Sequence, residues 1–152
     1  MTLRKKIDKI LGIVLIIIMS VMVANVLWQV FTRYIMTTPS SFTDELARYL
    51  MIWIGVLGAA FVSGKNMHVA IDVLPSKLNE TNRKKLAKVV DIIIISFVFF
   101  AMVIGGTRLV YLTYILKQHS PALQIPLALV YLVLPLSGLL IIYYKTSDLL
   151  NK

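Results

Sequence analysis

Few side chains in this 152-residue sequence could carry chemistry, and the densest group of them is Thr43-Asp44-Glu45 followed by Arg48. On a helix, Asp44 and Arg48 stand four apart and Glu45 and Arg48 three apart, so Arg48 can pair with either acid on one face. Thr43 ahead of two acids has the pattern of a helix N-cap with charges matched to the helix dipole. The group reads equally well as an interfacial helix start and as a docking site for a partner. Trp53, five residues beyond Arg48, reads as a packing or interfacial aromatic.

Asn25 and Gln29 are also four apart, with Trp28 between them and Arg33 one turn on. Amides within an apolar helix seek interhelical hydrogen bonds, either inside the chain or against a partner helix. Gly55, Ala59 and Ser63 recur every four residues, with Gly58, Ala60 and Gly64 beside them. Such a small-residue face lets another helix approach closely. The sequence leaves open whether that helix belongs to this chain or to another. If the segment containing them is helical, His68 and Asp72 share a face. They read as a local hydrogen bond fixing a turn, with pH sensing the sharper alternative. Pro126 and Pro135 are candidate helix kinks, Pro135 at mid-span, where a missing N–H interrupts the backbone ladder.

Several classes of activity have no residues to support them. There is no cysteine, so disulfides, thiolate nucleophiles, iron–sulfur clusters and thiolate zinc sites are excluded. The two histidines, His68 and His119, fall in different expected loops on opposite sides, unlike the facing axial ligands of a transmembrane haem. No expected span has an acid near its midpoint, and Asp91 is expected near an interface, which argues against a small proton-driven exporter. No catalysis, cofactor or metal is expected in this chain.

The elements that must position these residues are membrane spans. The composition is 59% hydrophobic, against about 45–50% in soluble domains, and mean hydropathy is +0.83. The excess lies in long runs without charge. Ile10 to Thr32 is 23 such residues, or roughly 34 Å of helix, enough for a hydrocarbon core of about 30 Å. The sequence predicts an all-α membrane protein with four transmembrane helices at about 10–32, 43–64, 89–110 and 120–144, joined between the second and third by a basic loop at 65–88. Of the 16 Lys+Arg, Arg33, Arg48, Arg108 and Lys117 fall on one side and the other twelve on the side of the termini and the basic loop. This bias predicts that both termini are cytoplasmic. The formal net charge of +9 then describes topology and contact with anionic membrane lipid, and no nucleic-acid partner is expected. The N-terminal apolar run is too long for a signal-peptide core and lacks a small-residue cleavage site, so it is expected to remain as the first helix. No internal repeat relates the two helix pairs.

Three stretches together resemble a known family: Phe42-Thr43-Asp44-Glu45-Leu46-Ala47-Arg48 with Trp53 and Gly58-Ala59-Ala60; His68-Val69-Ala70-Ile71-Asp72; and Ser120-Pro121-Ala122-Leu123-Gln124-Ile125-Pro126 with Tyr131 and Pro135. Their order and spacing are similar to the small membrane subunit of tripartite ATP-independent periplasmic (TRAP) transporters, the DctQ-like family. The acids Asp44-Glu45 fit the pair that often precedes the arginine there. The resemblance implies a bacterial inner-membrane subunit that pairs with a large, elevator-type membrane subunit and a periplasmic substrate-binding protein. It implies uptake of C4-dicarboxylates or of sugar acids such as sialic acid, driven by a sodium gradient. Substrate and sodium would be held on the large subunit, and this chain would widen the static scaffold. Asn25, Trp28, Gln29, Arg33, Asp44, Glu45, Arg48, Trp53, Gly55, Gly58, Ala59, His68 and Asp72 are then candidates for partner interfaces. The rivals are a self-contained four-helix transporter or channel, which needs a polar path through its own helices, and the anchor subunit of a redox enzyme, which needs paired intramembrane histidines.

Overall fold

The computed structural model describes residues 3–36, 40–65 and 80–150, which excludes His68 and Asp72. These residues form α1 (Leu3–Ile35), α2 (Ser41–Gly64), α3 (Glu80–Phe97), a π-helical segment (Val98–Gly105), α4 (Gly106–Ile115), α5 (Leu127–Tyr131) and α6 (Val133–Leu150). Four stretches are long and apolar enough to cross a membrane: Arg4–Ile35, Ser41–Gly64, Lys85–Ile115 and Leu127–Leu150. The protein is an all-α membrane protein of four spans; among the described residues the one β-type pairing is an isolated bridge between His119 and Pro126.

The spans pack side by side in the order first, second, fourth, third. Leu11, Leu57, Val98, Val133 and Ile141 contribute to one buried cluster that draws on all four, and Ala60 sits within it with no exposed surface. Water drives no apolar burial between helices in lipid, so this packing rests on close contact and interhelical hydrogen bonds. The long outward apolar faces, such as Ile10, Ile16, Ile17 and Leu27 on α1, suit a hydrocarbon surround.

Three local features differ from the sequence expectation. First, α2 starts earlier. Ser40 is its extended N-cap residue, and Thr43 is the third residue of the helix, fully buried. The Thr43 hydroxyl donates to the Ser40 carbonyl at 2.7 Å. Thr43 therefore closes the first turn from inside rather than capping it from outside.

Second, the fourth span starts at Leu127, because 116–126 form a folded loop. Pro126 is the extended residue immediately before α5 and kinks nothing. Pro135 does interrupt the span. It has no N–H to offer the Tyr131 carbonyl, and α5 ends at Tyr131. The Trp53 indole N–H donates to the Val130 carbonyl at 3.1 Å, giving this weakened turn a partner from α2.

Third, the third span runs through an eight-residue π segment that no periodicity announced. The wider turn brings Met102 and Val103 against Gly138, where an added Cβ would lie 3.0 Å from Val103 Cγ2. Just beyond it, Gly106 lies against the Pro135 break, where a Cβ would be 3.0 Å from Leu134 Cβ.

Candidate functional site

Polar side chains gather at the two ends of the helix row. One end carries the start of α1 and the end of α6 and is called the terminal end; the other, with Met36, Ser40, Ser41 and residues 116–126, is the far end.

At the far end, Glu45 points from the second turn of α2 into the 116–126 loop. Its Oε2 accepts from the Ser120 hydroxyl at 3.1 Å and from the backbone N–H groups of Ala122 at 2.9 Å and Leu123 at 2.8 Å. Its Oε1 accepts from the Tyr49 hydroxyl at 3.0 Å. The loop closes on itself through Ser120 N–H to Ile125 O at 2.9 Å and Leu127 N–H to Gln118 O at 3.0 Å. Lys117 and Gln124 turn the chain with φ of 47° and 55°. Two successive amides aimed at one carboxylate oxygen form an anion nest, and here the anion is the protein's own side chain. Asn25 Nδ2 donates to Thr43 O at 2.8 Å, buried, and Gln29 Nε2 donates to Asp44 Oδ1. The amides of α1 thus bind α2 within this chain.

Arg48 is not the partner of these acids. It is exposed, and the two ion pairs among the described residues lie elsewhere. The loop amides and Gln29 meet the acids from outside α2, which helical spacing alone could not reveal. Arg33 is exposed, as is Trp28, which stacks on Phe31 at a centroid distance of 5.7 Å. The small-residue face divides. Gly55 and Ala59 point outward, and a Cβ on Gly55 or Gly58 would meet nothing within 4 Å. Ala60, Ser63 and Gly64 point inward.

At the terminal end the structure holds a network that sequence reasoning missed. Arg4 pairs with Asp148 at 2.6 Å and donates to the Gly64 carbonyl at 2.7 Å. Its guanidinium lies 5.5 Å from the centre of the Tyr144 ring, and the Tyr144 hydroxyl donates to Asp8 at 2.5 Å. Lys145 pairs with Asp91 at 3.1 Å, both side chains about 95% buried. Asp91, expected near an interface, does lie at this end of the third span, but buried, where it and Lys145 of the adjacent span neutralise one another. Both were visible as charges bordering apolar runs, but their meeting required the fourth span to lie against the third.

An apolar groove of about 400 Å³ lies among Val14, Ile18, Leu50, Trp53 and Leu129. It presents no cation to an organic acid. Among the described residues no three His, Cys, Asp or Glu side chains converge as metal ligands. The arrangement fastens helices to one another.

The family profile described as "Tripartite ATP-independent periplasmic transporters, DctQ component" matches residues 10–152. A TRAP transporter small permease protein of Haemophilus influenzae is 30% identical over 89% of this chain and 82% of its own length. The sialic acid TRAP transporter small permease protein SiaQ of Vibrio cholerae is 31% identical over 68% of this chain and 60% of its own. The C4-dicarboxylate TRAP transporter small permease protein DctQ of Rhodobacter capsulatus is 30% identical over 66% of this chain and 44% of its own. The match extends through Glu45, the 116–126 loop that holds its carboxylate and the terminal-end residues of α6. With four apolar spans and a family match over nearly its whole length, the chain belongs to the DctQ component family of TRAP transporters, as a multi-pass small permease subunit of the bacterial inner membrane.

Proposed function

We propose that this chain is the rigid, non-catalytic scaffold of a sodium-driven, binding-protein-dependent uptake system for an organic acid, in which the large permease carries substrate and sodium. The observation that carries this reading is the placement of polar groups. The intramembrane amides and charges bond to one another at the two ends of the row, and no cation lines the groove between them. A solute path needs unspent polar groups at membrane depth, whereas a scaffold needs helices fixed against one another. Relatives named for sialic acid and for C4-dicarboxylate support an acid as the substrate class. The terminal end is assigned to the cytoplasm and the far end to the periplasm. The twelve-to-four division of Lys and Arg supports this, together with the meeting of Arg4 and Asp148 at one end.

The test is reconstitution in liposomes. This chain alone is expected to move neither a C4-dicarboxylate nor sialic acid, with or without a sodium gradient. Together with the large permease and the soluble binding protein, it is expected to support uptake of one acid that requires inward sodium. Transport by the chain alone would refute the scaffold reading.

A further inference from the structure

The apolar groove among the first, second and fourth spans ends beside an acid. Row order puts α2 between α1 and the fourth span. α2 therefore forms the floor, with Leu46, Leu50 and Trp53 on one helical face at i, i+4 and i+7. Val14 and Ile18 of α1 wall the groove on one side, Leu129 of α5 on the other, and Ile125 of the 116–126 loop borders its far end. The two polar groups on the floor are already engaged: the Trp53 N–H donates to Val130 O and the Tyr49 hydroxyl to Glu45 Oε1. The interior suits hydrocarbon and nothing that needs a hydrogen bond. Its rim faces the surround, with Leu129 54% exposed.

Tyr49 holds the Glu45 carboxylate at the edge of this groove, 3.0 Å from its hydroxyl. The four donors to that carboxylate are all neutral: two backbone N–H groups and the hydroxyls of Ser120 and Tyr49. Glu45 belongs to neither ion pair among the described residues. Three of the four bonds fall on Oε2, which leaves Oε1 room to accept again. A charge in the second turn of a spanning helix lies at headgroup depth. From Leu46 to Trp53 the groove follows about 10 Å of helix, within one leaflet of a hydrocarbon core of about 30 Å. An acid at headgroup depth above a groove that stops inside one leaflet fits an amphiphile with a cationic head. A helix of another chain fits worse: about 10 Å of helix with a diameter of about 10 Å fills roughly 800 Å³. The groove holds about half of that, 400 Å³.

We infer that this groove is a binding site for a phospholipid with a primary-ammonium head, of the phosphatidylethanolamine class, with its ammonium on Glu45 and an acyl chain along α2. The ammonium offers three N–H donors and a positive charge to a carboxylate that has no cation of its own. The chain takes up space that α1, α2 and α5 leave between them. The site goes beyond the scaffold reading and holds whichever side of the membrane the far end faces.

The experiment uses this chain co-purified with its large permease and delipidated in detergent. Native mass spectrometry counts the lipid that stays bound after addition of phosphatidylethanolamine, phosphatidylcholine or phosphatidylglycerol. Phosphatidylethanolamine is expected to be retained over the other two. Glu45→Gln keeps the shape of the side chain without its charge. It is expected to lower the preference for phosphatidylethanolamine over phosphatidylcholine by about 2–5-fold, the worth of one exposed ion pair. Leu129→Trp fills the groove from its rim and is expected to abolish retention of every head. Leu139→Trp, at a residue 56% exposed on α6 and outside the groove, is expected to change nothing. Equal retention of the three lipids, or a preference indifferent to Glu45→Gln, would overturn the proposal. So would retention indifferent to Leu129→Trp. Loss of the large permease from Leu129→Trp, with Leu139→Trp intact, would give the groove to that subunit and overturn the lipid site. These outcomes are read from bound lipid and bound permease, so they stand apart from the uptake assay that tests the scaffold reading.

Discussion

Gly64 tests the packing of the terminal end with a single atom. It is the last residue of α2, and its φ is not positive, so it does not owe its place to backbone conformation. It owes its place to Tyr144, which is fully buried. A Cβ on Gly64 would lie 2.7 Å from Tyr144 Cζ and 2.9 Å from Cε1. The ring cannot easily give way, since its hydroxyl is tied to Asp8 and the Arg4 guanidinium lies over its face. Overpacking a fixed core costs about 1–3 kcal/mol. Better helix propensity of Ala offsets at most about 1 kcal/mol, and less at a helix end. Gly64→Ala is therefore expected to destabilise by about 1–3 kcal/mol, with Tm in detergent falling by roughly 2–4 °C per kcal/mol. Gly55→Ala is the control, because its Cβ would meet nothing within 4 Å. It is expected to change stability by less than about 1 kcal/mol. In a Tyr144→Ala background the cost of Gly64→Ala should largely vanish, since contacting pairs are not additive. Thermal unfolding of the four variants by fluorescence-detected size exclusion decides the matter. Equal cost of Gly64→Ala with and without the Tyr144 ring would refute the reasoning.

Lys145→Met removes the buried cation 3.1 Å from Asp91 and is expected to cost up to about 3–5 kcal/mol, read as loss of folded yield; adding Asp91→Asn should recover part of it. Trp53→Phe keeps the ring but removes the N–H to Val130 O, and is expected to cost about 0.6 kcal/mol, up to about 1.7, by thermal unfolding. Asn25→Leu removes the bond to Thr43 O and should cost a similar amount; a large gain in stability would mean that the amide serves a partner and not α2.

The membrane class, the number of spans and the family were legible in the sequence. They depend on run length, residue type and motif order, which are properties of the chain read one residue at a time. Runs without charge are long enough to cross only as helices, because lipid offers no other partner for backbone N–H and C=O groups. The positions of Asn25, Gln29 and Glu45 also stood out as polar groups in apolar surroundings. Their partners did not. Helical spacing put Arg48 beside the two acids, yet Glu45 reaches 75 residues along the chain to Ser120, and Arg4 reaches 144 residues to Asp148. The same limit applied to the small residues of α2, which spacing places on one helix but which the fold divides between outside (Gly55, Ala59) and inside (Ala60, Ser63, Gly64). The π segment gave no periodic signal, and only the approach of α6 explains where it lies. A carboxylate or an amide declares a need for a partner through its chemistry. Which partner satisfies it depends on the order in which helices lie side by side, and with no hydrophobic drive between helices in lipid, that order is set by contacts far apart in sequence.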